Sequence, residues 1–123
     1  MTTSSARAEI SFDPCGRGYK AASAFVAGDV HKVAVEAGFL FDGASAPRFT
    51  LNILGLSRFD PRLILAACVH DKAYRSGCIS RKEADVLFYN LLIQGGVTKN
   101  KACILYQSVR KFGWLHYNKS NKP

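Results

Sequence analysis

No apolar run in this chain reaches the roughly 18 residues that a membrane-spanning helix requires, so no spanning segment is expected. The opening stretch Met1-Thr2-Thr3-Ser4-Ser5-Ala6-Arg7 lacks an apolar core and does not read as a secretory signal, which places first residence in a cytoplasm. Cysteine is sparse. Cys15, Cys68, Cys78 and Cys103 show no C-x-x-C spacing, which argues against a zinc site. Disulfide pairing is formally open, but without an export signal reduced thiols are the expectation. Cys68 and Cys103 read as small core residues on helix faces. Internal repeats and low-complexity segments are absent.

Acid is also in short supply, with 9 Asp+Glu against 17 Lys+Arg and a net charge of +8. That excess fits a nucleic-acid partner, an anionic membrane or phosphorylated substrate, or simply a basic soluble surface. No basic zipper or RNP motif accompanies the charge, so nucleic acid is not the expected partner. A length of 123 residues with 48% hydrophobic content suits one ordered domain and leaves no room for a second. The reading is a polar, frayed terminus at 1–7, a single domain at 8–117, and a basic tail at 118–123.

What is present divides into two halves. From Ala8 to Phe41 the pattern is short and strand-like: Glu9-Ile10-Ser11-Phe12, then Ala22 to Val26, then Val30 to Val35 after the Ala27-Gly28-Asp29 turn. A small antiparallel meander is predicted there, followed by a short helical piece around Phe49 to Leu54. Helix signals then take over. Asp60-Pro61 opens a helix that Ser76-Gly77 closes, and the capping box Ser80-Arg81-Lys82-Glu83 opens another that ends at Gly95-Gly96. Thr98 caps a third, with Ala102, Leu105, Tyr106, Val109 and Phe112 on one face. The predicted helices run near 61–75, 81–94 and 99–114. The predicted class is α+β: a small N-terminal antiparallel β-sheet packed on a three-helix C-terminal half. About five residues join the first two of these helices, which makes them an antiparallel pair.

The chemistry-bearing residues gather on that pair. His70 and Tyr74 share a face of an otherwise apolar helix, and an ionisable cluster there is either chemistry or a buried polar network. Across the short turn, Asp85 comes level with His70, each roughly 8 to 13 Å of helix from the connection. A carboxylate there can hold one imidazole nitrogen and leave the other facing a substrate or water. Asp71 points about 100° away. It can ligate a hard cation such as Ca²⁺ with backbone carbonyls of the Asp42-to-Ser45 loop, or pair with Arg75, as Asp85 can with Arg81. Ser45 lacks a G-x-S-x-G elbow and fits a turn or cap better than a nucleophile. Arg48, fixed after Pro47, can contact an anion or Asp42. His31 is expected on a solvent-facing strand position, and Trp114, His116 and Tyr117 form an aromatic end expected to pack on the core.

Four ordered motifs carry a resemblance: Gly38 to Arg48 with its Phe41-Asp42-Gly43-Ala44-Ser45 run, Ala66 to Arg75, Ser80 to Asp85 with Phe88, and Tyr106 to Gly113. Over residues 8 to 116 the chain resembles the phage and prophage family catalogued as domain of unknown function 1353. That resemblance implies a bacteriophage or prophage origin, with synthesis in the host cytoplasm and association with the virion as one fate. His70-Asp71-x-x-Tyr74 followed by Asp85 also looks like the active-site helices of phospholipase A2. This second likeness implies His70 as the base that activates water, Asp71 as a calcium ligand, and Tyr74 and Asp85 as supports of the histidine. The glycine-rich calcium loop of secreted phospholipases is missing, and Ala73 stands where they carry a disulfide cysteine.

Two functions follow as expectations. One is a His-Asp hydrolase acting on a phospholipid or another ester of the host envelope, with calcium at Asp71 and Asp42. The other is a non-catalytic virion or tail-associated protein, or a binder of a host factor, whose polar cluster specifies the fold. An apolar pocket opening onto His70 favours the first, and a sealed His70 favours the second.

Overall fold

The computed structural model describes residues 10–13, 18–21, 24–28, 32–41, 48–56 and 60–113. Strands come first and helices follow, giving the expected α+β class. The described strands are β1 (Ile10–Asp13), β2 (Gly18–Ala21), β3 (Phe25–Ala27), β4 (Val33–Val35) and β5 (Leu40–Phe41). The described helices are α1 (Arg48–Leu54), α2 (Pro61–Ser76), α3 (Arg81–Gln94) and α4 (Lys99–Phe112).

The strands divide between two sheets instead of forming one meander. β1, β2 and β5 make an antiparallel sheet in that order, with Tyr19 opposite Phe41, while β3 and β4 pair separately with Phe25 opposite Val35. The split has a physical origin in the alternation of β3 and β4. Phe25, Ala27, Val33 and Val35 are all buried, so this hairpin has an apolar face to cover, and β4 lays it against α2. Gly18-Tyr19-Lys20-Ala21 carries no such alternation, and its strand is held by backbone pairing on both sides.

Each long helix is set by its ends. Asp60 accepts the Arg62 N–H at 2.9 Å, and Pro61 occupies a first-turn position where no N–H is needed. Gly77 ends α2 in the left-handed region at φ 66°, donating to the Ala73 carbonyl at 2.9 Å. Ser80 and Glu83 complete the capping box in both directions, at 3.1 and 3.0 Å. A Cβ at Gly95 would sit 2.5 Å from the Arg62 carbonyl oxygen, so only glycine lets the end of α3 meet the start of α2.

α3 packs against both α2 and α4. Alanines 66, 67 and 73 on α2, 84 on α3 and 102 on α4 are buried and let the helices approach closely around Leu63, Phe88, Leu92 and Leu105. Two packing expectations fail on α4. Its inner face runs through Ala102, Leu105, Ser108 and Val109, so Cys103, turned about 100° from Ala102, is exposed, and Phe112 is exposed as well. Tyr106 is half-buried, edge-on to Tyr89 at 6.1 Å. Cys68 is buried as expected. His31, Cys15, Trp114, His116 and Tyr117 lie outside the described residues.

Candidate functional site: a buried carboxylate held by three helices

Asp85 sits in the second turn of α3 with 0% of its surface exposed, and side chains from α2 and α4 converge on it. His70 Nε2 lies 2.7 Å from Oδ1, and the Tyr74 hydroxyl donates to the same oxygen at 2.5 Å. Arg110 of α4 donates to Oδ2 at 2.8 Å. Arg81 stands 3.7 Å from Oδ2, beyond hydrogen-bond range, and spends its guanidinium on the Val109 and Arg110 carbonyls at 3.1 Å each. In that position it caps the end of α4 and adds a second positive charge beside the buried acid.

Burial alone pushes the Asp85 carboxyl up. The hydrogen bonds from His70 and Tyr74, with the Arg110 contact, outweigh burial and hold it below the ordinary carboxylate range. Removing a carboxylate from water costs several kcal/mol. Charge-assisted hydrogen bonds worth about 1.5–3 kcal/mol each are of the size needed to offset that cost. Burial, and then the bond to Asp85, pushes the Tyr74 phenol up, so its proton stays in place as a donor.

An ionised carboxylate only accepts, so His70 presents a protonated Nε2 to Asp85. Among the described residues His70 Nδ1 has no hydrogen-bond partner. The ring is wedged between Tyr74, at 4.1 Å between centroids, and Phe88, at 4.7 Å. His70 is only 3% exposed, which is the sealed condition rather than an open one.

The expected residues therefore separate into two groups. His70, Tyr74, Asp85 and Arg81 come together. Asp71 and Arg75 form an i,i+4 pair at 2.8 Å on another face of α2. The Arg75 guanidinium lies 5.0 Å from the Phe39 ring, while Lys72 reaches both that ring, at 5.4 Å, and Glu36, at 2.7 Å. Asp42 and Ser45 lie outside the described residues, and Arg48 is placed only as the first residue of α1.

A calcium ion at Asp71 would share a carboxylate that Arg75 already holds. Among the described residues no group of three His, Cys, Asp or Glu side chains could complete such a site. Asp42 and the loop carbonyls expected to complete the site with Asp71 lie outside the described residues, and no step through a cation is drawn from the described ones.

Two contributors escaped the sequence reading. From sequence Arg110 is one of 17 Lys+Arg residues, yet it is the second anchor of Asp85. The signal was available: a short link at 95–98 folds α4 back along α3 and returns its last turn to the level of Asp85. Gly113, just beyond α4, abuts the Tyr74 hydroxyl so closely that an added Cβ would collide with it.

Compared with known families, residues 19–109 match the family described as protein of unknown function (DUF1353). No curated protein and no solved structure matches the chain. The match spans most of the sequence, and the chain belongs to this family.

Proposed function

We propose that this DUF1353 protein is a phage or prophage hydrolase of carboxylic esters, with His70 as general base and Asp85 and Tyr74 holding it. The observation that carries the reading is the shared Asp85 Oδ1. It accepts from His70 Nε2 and from Tyr74, which fixes the imidazole with Nδ1 as the nitrogen left for chemistry. Because His70 is 3% exposed, this chemistry requires the packing of Tyr74 and Phe88 around the ring to open. Nδ1 then takes a proton from water as the water oxygen bonds to the ester carbonyl carbon. The resulting tetrahedral intermediate then collapses, the C–O bond to the alcohol breaks, and the imidazolium returns the proton to the leaving alkoxide. Asp85 stabilises the imidazolium in between, and the hydrogen bonds from His70, Tyr74 and Arg110 keep Asp85 ionised.

The substrate class is an ester of the host envelope, a phospholipid first among them, to which a chain of net charge +8 is drawn electrostatically. Fatty-acid release from phosphatidylglycerol vesicles by the purified protein, with and without added calcium, tests the activity and any part for a cation at Asp71. Release in either condition supports the reading. No release in both counts against it.

A second reading has its own observation. His70 is 3% exposed and each Asp85 oxygen is occupied, as in a network that specifies the fold. In that case the protein is a virion or tail component, or a binder of a host factor, and its cluster does no chemistry.

A further inference from the structure

α1 and α4 leave an open cleft of about 520 Å³ between them. Arg110 and Lys111 bring two positive charges to it, and Gln107 an amide. Its lining also includes Thr50 and Ser108, whose hydroxyls lie 3.4 Å apart and have no other hydrogen-bond partner among the described residues. Two hydroxyls sharing one contact leave at least one O–H without an acceptor. Both side chains are more than nine-tenths buried, at 8% and 7% exposed, a placement that is costly unless something accepts that proton. Lys111 makes no ion pair among the described residues. Arg110 uses Nη1 on Asp85 and keeps further N–H groups for a ligand. On the outer side the exposed rings and methyls of Phe112 and Ile104 line the same cleft.

We propose that this cleft binds a phosphate monoester, its oxygens on Arg110, Lys111 and the Ser108–Thr50 hydroxyls, and its apolar substituent against Ile104 and Phe112. The site is separate from Nδ1 of His70 and does not rest on the hydrolase reading. It touches the buried centre at one point, because Arg110 serves both the cleft and Asp85 Oδ2. A phosphate monoester reaches such a cleft as a lipid headgroup or as a free phosphorylated metabolite, and the apolar rim distinguishes the two.

Isothermal titration at fixed ionic strength with hexyl phosphate, inorganic phosphate and hexanol tests the proposal. Hexyl phosphate holds no carboxylic ester, so the readout is independent of hydrolysis. Binding of either phosphate, weakened about tenfold by Lys111→Gln and left unchanged by Lys99→Gln on the far end of α4, is the expected result. Tighter binding of hexyl phosphate than of inorganic phosphate, with no binding of hexanol, supports the apolar-substituted monoester, and equal binding of the two phosphates overturns the part given to Ile104 and Phe112. Ser108→Ala provides a second variant with little change in volume and should also weaken binding. No binding of either phosphate, or equal losses in Lys111→Gln and Lys99→Gln, overturns it.

Discussion

His70 and Asp85 meet at 2.7 Å across the α2–α3 hairpin, fifteen residues apart in sequence and both almost entirely out of water. The contact makes one carboxylate the node through which α2, α3 and α4 are joined, since Tyr74 and Arg110 end on it too. The packing of the three helices therefore depends on this one group.

Asp85→Ala should cost about 3–5 kcal/mol, the usual loss when one partner of a buried charge pair is removed. Chemical denaturation at pH 7 measures it. The pH dependence has a definite sign. The folded Asp85 carboxyl lies below its ordinary value, so its contribution is present above the unfolded carboxylate range near 3.9. It is lost as pH falls through the lower, folded value. Unfolding free energy followed downward from pH 5 should drop more steeply for wild type than for Asp85→Asn.

Gly113 and Tyr74 should be energetically coupled. Gly113→Ala drives a methyl group into the Tyr74 hydroxyl and should cost about 1–3 kcal/mol, the range of overpacked sites. Tyr74→Phe removes that hydroxyl at the expense of its bond to Asp85. The double variant should therefore be more stable than the sum of the two single losses allows, and a double-mutant cycle by thermal denaturation checks this. Simple additivity would mean that the collision is relieved elsewhere.

Asp71 should behave as a partner of Arg75. Losing that i,i+4 pair costs about 0.3–0.5 kcal/mol. Asp71→Asn is thus expected to leave the melting temperature nearly unchanged. A calcium-induced rise in melting temperature, present in wild type and absent in Asp71→Asn, would instead make Asp71 a cation ligand.

Thiol labelling should rank the cysteines of α2 and its surroundings by burial. Burial, with the nearby Asp71 and Glu36 charges, pushes the Cys68 thiol up to about 12. Cys78 and Cys103 are exposed. Alkylation at neutral pH, mapped by mass spectrometry, should modify Cys78 and Cys103 and spare Cys68 until the protein unfolds.

The helical half was largely legible because its signals are local. Asp60-Pro61, Ser80 with Glu83, and Thr98 each carry their own cap, and a short turn after Gly77 leaves His70 and Asp85 little choice but to face each other. The strands were less legible. β2 takes β5 rather than its neighbour β3 as partner, a non-local choice that four residues of Gly-Tyr-Lys-Ala do not encode. Arg110 is harder to read: its partner lies one helix away, and only the fold-back of α4 along α3, not its charge, separates it from Lys111 beside it.

A base role for His70, as against membership of a structural network only, is read from His70→Gln assayed for ester hydrolysis and thermal unfolding on the same preparation. Hydrolysis should fall to background in the variant, a loss of about 10²–10⁴-fold from wild type, while the protein stays folded at the assay temperature. A folded His70→Gln protein that hydrolyses ester as fast as wild type would rule out His70 as the base.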